Sequence, residues 1–294
     1  MSLGNGTKTI QIVSGANNVT FDGVNKFTLQ LPQSGLRTPS QETWEVALKS
    51  MSVWYSWFNI SSLKGNNTFS YTWADGTNKV VVVQDGIWSY GEIRSYLKQQ
   101  MFANGHYLLD ENGRETYYLD IVLNPALYCL SLTCTPLPAV LPVDWTNPAA
   151  VNLVACASRA PSLTILSNGF DTFTGFAAGS YPPGGPAAAL YQINSGVPQI
   201  SSSTSFNILS NVVDPSNSFS LTPSVLASFV LTDGIRPGSL YNREPYTLDW
   251  VNMGQMQVFN TIEVRLVDQL MRPVKIEDPS SFVLILNIRK RSSS

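Results

Sequence analysis

The stretch that decides the fold is Thr261-Ile262-Glu263-Val264-Arg265-Leu266-Val267, in which apolar and charged side chains alternate from Ile262 to Leu266. In an extended strand, successive side chains point to opposite faces, so the three apolar residues inside this stretch share one face and the two charged residues share the other. One apolar and one polar face are typical of an antiparallel strand with a core on one side and water on the other. The stretch therefore predicts a half-solvated antiparallel β-strand.

The same two-residue period occurs in both directions from this strand. The further predicted strands are Phe27–Leu31, Trp44–Ile60, Phe69–Trp73, Lys79–Val83, Tyr107–Asp110, Thr116–Leu123, Thr204–Leu209, Phe229–Leu231 and Phe282–Ile288. A change of phase near Ser50 predicts a bulge in the longest of them. Asp75-Gly76 and Asn112-Gly113 each separate two of these runs, and such dipeptides indicate tight β-hairpins.

A single helix is predicted to interrupt the strands. Ser89 and Glu92 have the spacing of a capping box, and Ile93, Leu97 and Met101 recur on one face. Asn104-Gly105 is a typical helix end. The narrow apolar face favours a helix that lies flat on a sheet.

Residues 125–200 differ in composition from the rest of the chain. Ten of the 18 prolines fall there, and Asp144, Arg159 and Asp171 are the only charged residues. Proline confines strands to short edge pieces such as Ser162–Leu166, and Tyr181–Pro186 is predicted to be an exposed excursion. We therefore expect a discontinuous main domain, residues 1–124 and 201–294, with an insertion domain over 125–200.

The fold class follows from the number and kind of these elements. About eight antiparallel core strands, without alternation of strands and helices, predict an all-β protein. We expect a jelly-roll β-sandwich with one helix and a loop-rich inserted β domain.

Composition excludes several classes of function. The chain has 18 basic and 20 acidic residues and a net charge of -2, so it lacks the basic patch of a protein that grips a phosphate backbone. We expect no sequence-specific nucleic-acid binding. The longest apolar runs, Val80–Val83 and Phe282–Leu286, are too short for a membrane span. With only 13% charged residues, much of the surface is expected to contact partner chains.

No residues with the spacing of an active site are found. His106 is the only histidine, and no nucleophile elbow or phosphate-binding loop accompanies it. The carboxylate pairs Asp110-Glu111 and Glu277-Asp278 could serve a glycosidase or bind calcium, but pairs in turns are usually solvated. We predict no enzyme activity and no catalytic, cofactor-binding or metal-binding residue, and we expect Cys129, Cys134 and Cys156 to be reduced structural thiols of a cytosolic protein.

Two further segments allow a binding role. The aromatic cluster Trp54-Tyr55-Ser56-Trp57-Phe58 could stack on sugars, although alternation in a strand would put about half of it in the core. The basic end Arg289-Lys290-Arg291-Ser292-Ser293-Ser294 could hold nucleic acid or an acidic neighbour, but such an end is more often a solvated tail.

Three sets of residues also carry a resemblance to a known family. They are the aromatic cluster 54–58, the segment Asp85-Gly86-Ile87-Trp88-Ser89 before the predicted helix, and Val267-Asp268-Gln269 followed by Arg272-Pro273 and a last strand. Together they resemble the penton, or minor capsid, proteins of virophages and polinton-like viruses. The likeness spans nearly the whole chain and consists of turn and strand signatures.

The resemblance implies a single jelly roll with an inserted domain. It also implies homopentamers at the fivefold vertices of an icosahedral shell, beside a double jelly-roll major capsid protein, in a virion whose proteins are made in the host cytoplasm. The family is structural, so the resemblance implies no catalytic residue. No spike or fibre domain is apparent after Ile288. The alternative is a jelly-roll module that binds carbohydrate or protein, as in attachment proteins and lectins.

Overall fold

A computed structural model describes residues 7–33, 35–38, 42–201, 203, 205–215, 224–230, 238–254 and 258–291. Its strands, in chain order, are β1 Lys8–Val13, β2 Val19–Phe21, β3 Lys26–Gln30, β4 Leu36–Arg37, β5 Trp44–Trp54, β6 Thr68–Thr72, β7 Asn78–Val82, β8 Leu108–Leu109, β9 Glu115–Thr116, β10 Leu119–Asn124, β11 Cys129–Cys134, β12 Ser162–Ile165, β13 Gly179–Tyr181, β14 Tyr191–Asn194, β15 Ser205–Ser210, β16 Val225–Val230, β17 Leu240–Arg243, β18 Val251–Asn252, β19 Val258–Phe259, β20 Thr261–Asp268 and β21 Val283–Lys290. The helices are α1 Tyr90–Ala103, α2 Leu153–Cys156 and α3 Phe170–Thr174, with a 3-10 turn at Ser62–Lys64.

The chain divides into two compact units. The first, here the jelly-roll unit, comprises Met1–Trp57 and Ser203–Ser294, and the second, here the inserted unit, comprises Phe58–Ser202. Among the helices in the described ranges, none has the length and hydropathy needed to cross a bilayer. Of the residues named in the predicted strands and the basic end, Thr204, Leu231 and residues 292–294 lie outside the described ranges.

The jelly-roll unit has the strand order that gives this fold its name. One sheet runs β1-β21-β5-β17, with β18 also paired to β5, and the other runs β16-β15-β20-β3-β2. Among the eight strands of four or more residues in the described part of this unit, the first, eighth, third and sixth along the chain thus form one sheet, and the second, seventh, fourth and fifth form the other. All pairings are antiparallel. The predicted all-β jelly-roll sandwich is confirmed.

The strand that decided the prediction lies inside its sheet. β20 pairs with β3 on one side and β15 on the other, and it buries Ile262, Val264 and Leu266 while Arg265 stays exposed. The phase change predicted near Ser50 is a bulge: Ile285 pairs with Ser50 and Leu286 with Leu48. The extra residue between these pairs keeps the core side of a long strand facing inward on both sides of the bulge.

Aromatic stacking fills the core of the jelly-roll unit. Phe27 of β3 and Phe282, just before β21, are parallel with their ring centroids 3.7 Å apart. Ile12, Trp44 and Phe206 are also fully buried in this cluster. Burying a large apolar side chain stabilises a fold by about 1.5–3 kcal/mol, so this core alone can hold the two sheets together.

The inserted unit contains two further antiparallel sheets and the long helix. Its sheets run β13-β12-β6-β7 and β10-β11-β14, and β8 and β9 form a separate short hairpin. α1 begins with the predicted capping box, in which the Glu92 N–H donates to Ser89 Oγ and the Ser89 N–H donates to the Glu92 carboxylate. Its predicted apolar face, Ile93, Leu97 and Met101, is buried in the core of this unit.

The inserted unit begins earlier than the predicted insertion domain over 125–200. The strands β6, β7 and β10 were assigned to the jelly roll, but β6 pairs with β12 and β10 pairs with β11, both within the inserted unit. The composition shift at Pro125 marks where charge falls and proline rises. It does not mark where strands begin to pair within the inserted unit, because strand pairing depends on contacts between residues far apart in sequence.

Two local predictions also change. Ser162–Leu166 was predicted to be an edge piece, but β12 lies between β6 and β13, since Pro161 precedes the strand and removes no ladder donor from it. The second hairpin has strands of only two residues each, β8 and β9. The rest of its predicted second strand forms β10 and pairs elsewhere. α2 and α3 add short helices that the sequence did not predict.

Candidate functional site

His106 is a core residue of the inserted unit. Its ring lies parallel to Trp73, with centroids 4.5 Å apart, and Nδ1 is 3.0 Å from the Tyr71 hydroxyl. The residue is 8% exposed, and burial lowers the pKa of His106 to about 4, although nearby Asp75 raises it in part. Burial also raises the pKa of Tyr71. A neutral imidazole against a neutral phenol has no proton to exchange near neutral pH, so this pair supports packing.

The carboxylate pairs are held in local turns. Asp110 accepts the backbone N–H groups of Asn112 and Arg114, at 2.8 and 2.9 Å. Asp278 accepts both the N–H and the hydroxyl of Ser280, which lowers the pKa of Asp278. These contacts stabilise the two turns, so Asp110 and Asp278 have a structural role. In the described part of the chain, no group of three His, Cys, Asp or Glu residues could hold a metal ion.

The aromatic cluster 54–58 contributes its central rings to the core. Tyr55 and Trp57 are stacked with centroids 4.3 Å apart and are 8% and 3% exposed. Trp57 also contacts Phe206 at 4.9 Å. The suggested sugar platform therefore does not form with these two rings, and the expectation that about half of the cluster is core is confirmed.

The basic end of the chain is bound rather than freely solvated. Arg289 Nε lies 2.8 Å from Glu45, and the guanidinium lies 3.9 Å over the Trp250 ring. Lys290 Nζ lies 2.6 Å from Glu42. The solvated-tail interpretation was wrong for Arg289 and Lys290, because strand β21 carries both residues alongside the acidic start of β5.

The three cysteines are free and buried, as expected of structural thiols. Burial raises the pKa of Cys134 to about 12, and burial also raises the pKa of Cys156. A thiol nucleophile needs an accessible thiolate, so neither residue is suited to that role.

The surface of the inserted unit is the region that the sequence did not locate. Large apolar side chains that are exposed in this unit include Leu63, Val80, Val82, Phe102, Val122, Leu123, Leu127, Tyr128, Val140, Val143, Val154, Leu190 and Val197. Most of them fall in the stretch where Asp144, Arg159 and Asp171 are the only charges. Charge depletion was the available signal, but exposure of the apolar residues could not be read from it. Exposed apolar residues indicate a protein contact where they lie side by side on one face, as Val80 and Val82 do on one strand.

Comparisons with known proteins find likenesses among solved structures only. No protein-family model matches the chain, and a comparison with curated proteins finds no match. Among solved structures, the chain is similar to the crystal structure of the selenomethionine-labelled mavirus penton protein, with a TM-score of 0.46 and 9% sequence identity. That match covers 98% of this chain and 99% of the other. At this TM-score and identity the likeness transfers no function, and the fold assignment rests on the strand order.

Proposed function

We propose that the chain is a viral capsid protein and, more narrowly, a penton that forms homopentamers at the fivefold vertices of an icosahedral shell. The observation that carries the proposal is the eight-strand jelly-roll order, an architecture that viral capsid and lectin domains use. The turn and strand signatures quoted above favour the capsid role within that architecture.

The distribution of charge supports a protein built for contact with other chains. Charged residues make up 13% of the sequence, about half the usual fraction. Large apolar side chains nevertheless remain exposed on the inserted unit. Surfaces that contact a neighbour head to tail close into a ring when the rotation between subunits permits it. For a penton, the rotation between neighbours has to close the ring at five copies.

The proposed partners are further copies of this chain and a double jelly-roll major capsid protein, and the proposed location is the capsid vertex of a virion. The role is structural and not enzymatic. His106, the residue on which acid-base chemistry would depend, is already occupied by Tyr71 and Trp73.

The test is the oligomer mass by native mass spectrometry. A penton gives a species of about 161 kDa, five times the 32.2 kDa of one chain. A stable ring of three or six chains would reject the penton assignment while leaving the jelly-roll fold intact.

A second candidate, a carbohydrate-binding module, is favoured by one specific group of aromatic rings. Phe102 is exposed and stacks on Tyr107 at 4.8 Å, and Tyr107 lies 6.3 Å from Tyr117, whose ring is 5.6 Å from Lys98 Nζ. Aromatic rings beside polar groups can hold a sugar ring. A glycan array decides between the candidates: hits that disappear in Phe102→Ala favour the module, and an array without hits favours the capsid role.

A further inference from the structure

The strand β7 is an edge strand with exposed valines. It lies at the end of the sheet β13-β12-β6-β7 and pairs only with β6 in that sheet. Val81, and Val83 just after the end of β7, are buried in the core. Val80 and Val82 are 63% and 56% exposed. Two large apolar side chains therefore face away from the core on a strand that has one neighbour.

The free side of β7 also presents backbone hydrogen-bonding groups. The Val83 N–H donates to Asn67 O and the Trp73 N–H donates to Thr77 O, which fixes which residues of β7 bond to β6. By alternation, the backbone groups of Val80 and Val82 point away from β6. The Tyr96 hydroxyl donates to Val82 O at 2.9 Å. The remaining groups can pair with an added strand.

The outer face of this sheet is uncharged. On that face, β7 contributes Asn78, Val80 and Val82, and the other strands contribute small hydroxyl side chains: Thr68, Ser70 and Thr72 of β6, Ser162 and Thr164 of β12 and Ser180 of β13. Thr164 and Ser180 are hydrogen-bonded to each other. Because no charge has to be desolvated at these positions, the face can be covered at little electrostatic cost.

Such an edge is a hazard for a protein that stays monomeric. Edge strands of monomers usually carry a lysine, a proline or a bulge that prevents further pairing. β7 carries one such residue, Lys79, but its side chain points to the face opposite Val80 and Val82 and leaves their face uncharged, and the register with β6 contains no bulge. An exposed valine-rich edge strand of this kind is prone to pair with another strand.

We propose that the β7 edge and its uncharged outer face form a contact surface for a second copy of this chain. The inference rests on the proposed function, since a ring requires each copy to present two different surfaces to its neighbours. The inserted unit offers a suitable second surface. β14 is the edge of the other sheet, and its exposed residues Gln192 and Asn194 are also uncharged.

The area of this surface limits the affinity that can be expected. Four strands of three to five residues, spaced about 4.8 Å apart, present a face of roughly 280 Å². A standard stable interface buries about 800 Å² on each partner. The contact is therefore weak by itself, and association is expected at high protein concentration.

The test compares two double variants by sedimentation equilibrium from about 1 µM to about 1 mM protein. Val80→Lys/Val82→Lys places two charges on the exposed side of β7. The matched control is Thr9→Lys/Gln11→Lys on β1, an edge strand of the jelly-roll unit whose residues Thr9 and Gln11 are likewise exposed. Circular dichroism checks that both variants fold. Wild type and control should associate, and the β7 variant should need at least about tenfold more protein to do so.

A second readout makes every outcome informative. Hydrogen exchange of the Val80 and Val82 amides should slow in the associated wild type and stay fast in the β7 variant. Equal association of the β7 variant, equal loss in the control, or a wild type that remains monomeric with unchanged exchange would overturn the surface. A pentamer that survives in the β7 variant rejects this surface and leaves the penton standing. A trimer or hexamer that is lost in the β7 variant supports this surface and rejects the penton.

Discussion

The two units of the molecule differ in how they use charge. In the described residues, seven of the nine ion pairs belong to the jelly-roll unit, among them Arg272–Asp268 and Arg289–Glu45. The remaining two join Arg94 and Lys98 to Asp120 in the inserted unit. The inserted unit instead contains the buried histidine and all three cysteines. One chain thus contains a unit with most of the ion pairs and a unit with few of them, and the two should respond differently to deletion, substitution and pH.

The largest expected effect comes from deleting one unit. Replacing residues 58–202 by a short Gly-Ser linker should leave a folded jelly roll, because neither of its sheets contains a strand of the inserted unit. Deleting only 125–200 should leave β6 without β12 and β10 without β11. Circular dichroism and proton spectra measure both. A 58–202 deletion that is wholly unfolded, or a 125–200 deletion in which the remaining inserted strands stay ordered, would contradict the division.

A buried carboxylate should matter far more than an exposed one within the jelly-roll unit. Asp268 is 1% exposed and accepts the N–H groups of Leu270 and Arg272 together with Arg272 Nε. Asp268→Ala should destabilise the unit by about 3 kcal/mol, since it leaves these donors without an acceptor. The matched control Glu263→Ala removes an exposed pair with Arg265 and should cost about 0–1 kcal/mol. Amide exchange of β20 and β21 measures the loss of stability in each variant. Equal losses would show that burial does not determine how much an ion pair stabilises this unit.

The pH response should distinguish the inserted unit. The pKa of His106 is lowered from 6.5 to about 4, so between those values the unfolded chain binds a proton that the folded unit excludes. The stability contributed by the neutral ring is complete above about pH 6.5 and is lost as the pH falls toward 4, by up to about 3 kcal/mol. Amide exchange in the inserted unit, measured against pH, reports this loss.

The control for the pH response is His106→Gln, which removes the titrating group. The pH dependence of the inserted unit between 6.5 and 4 should flatten in this variant, while that of the jelly-roll unit should not change. Asp120 carries a lowered pKa, so its contribution is lost only at still lower pH. An unchanged slope in His106→Gln would show that another group titrates in this window.

The smallest expected effect concerns the start of α1. Ser89→Ala removes the side chain that accepts the Glu92 N–H, and it should destabilise the helix by about 1 kcal/mol. Ser95→Ala on the same helix removes a hydroxyl that donates to Gly91 O and should change stability by less than about 0.5 kcal/mol. Amide exchange of α1 measures the difference between the two variants. Equal protection in both would show that the capping box does not stabilise the helix.

The sequence predicted some elements of both units, and it missed two strands of the jelly-roll unit. Alternation identified β20, β21 and β3, because one face of each strand is buried and the pattern is local. The capping box identified α1 for the same reason. The short strand β17 gave too little pattern, and β1 was missed although Ile10 and Ile12 alternate in it.

What the sequence could not supply was the choice of partners. β6 pairs with β12, and the register places Thr72 opposite Ser162, far along the chain. Alternation predicts both strands without saying that they are neighbours, so the start of the inserted unit was placed too late. The burial of His106 depends on Trp73 in the same way, since the stacking partner comes from a different element. In the sequence, the valines of β7 form one apolar run that does not show which of them are exposed.

The central claim is that copies of this chain associate in fives through uncharged surface. The most direct measurement is the oligomer mass of the assembled protein in sodium chloride rising from about 0.1 to 1 M, over which the Debye length falls from about 10 to 3 Å. Apolar contacts are not screened by salt, so the account predicts that the five-chain species persists throughout. Dissociation into monomers across that range would contradict the claim, because it would show that charge holds the ring together.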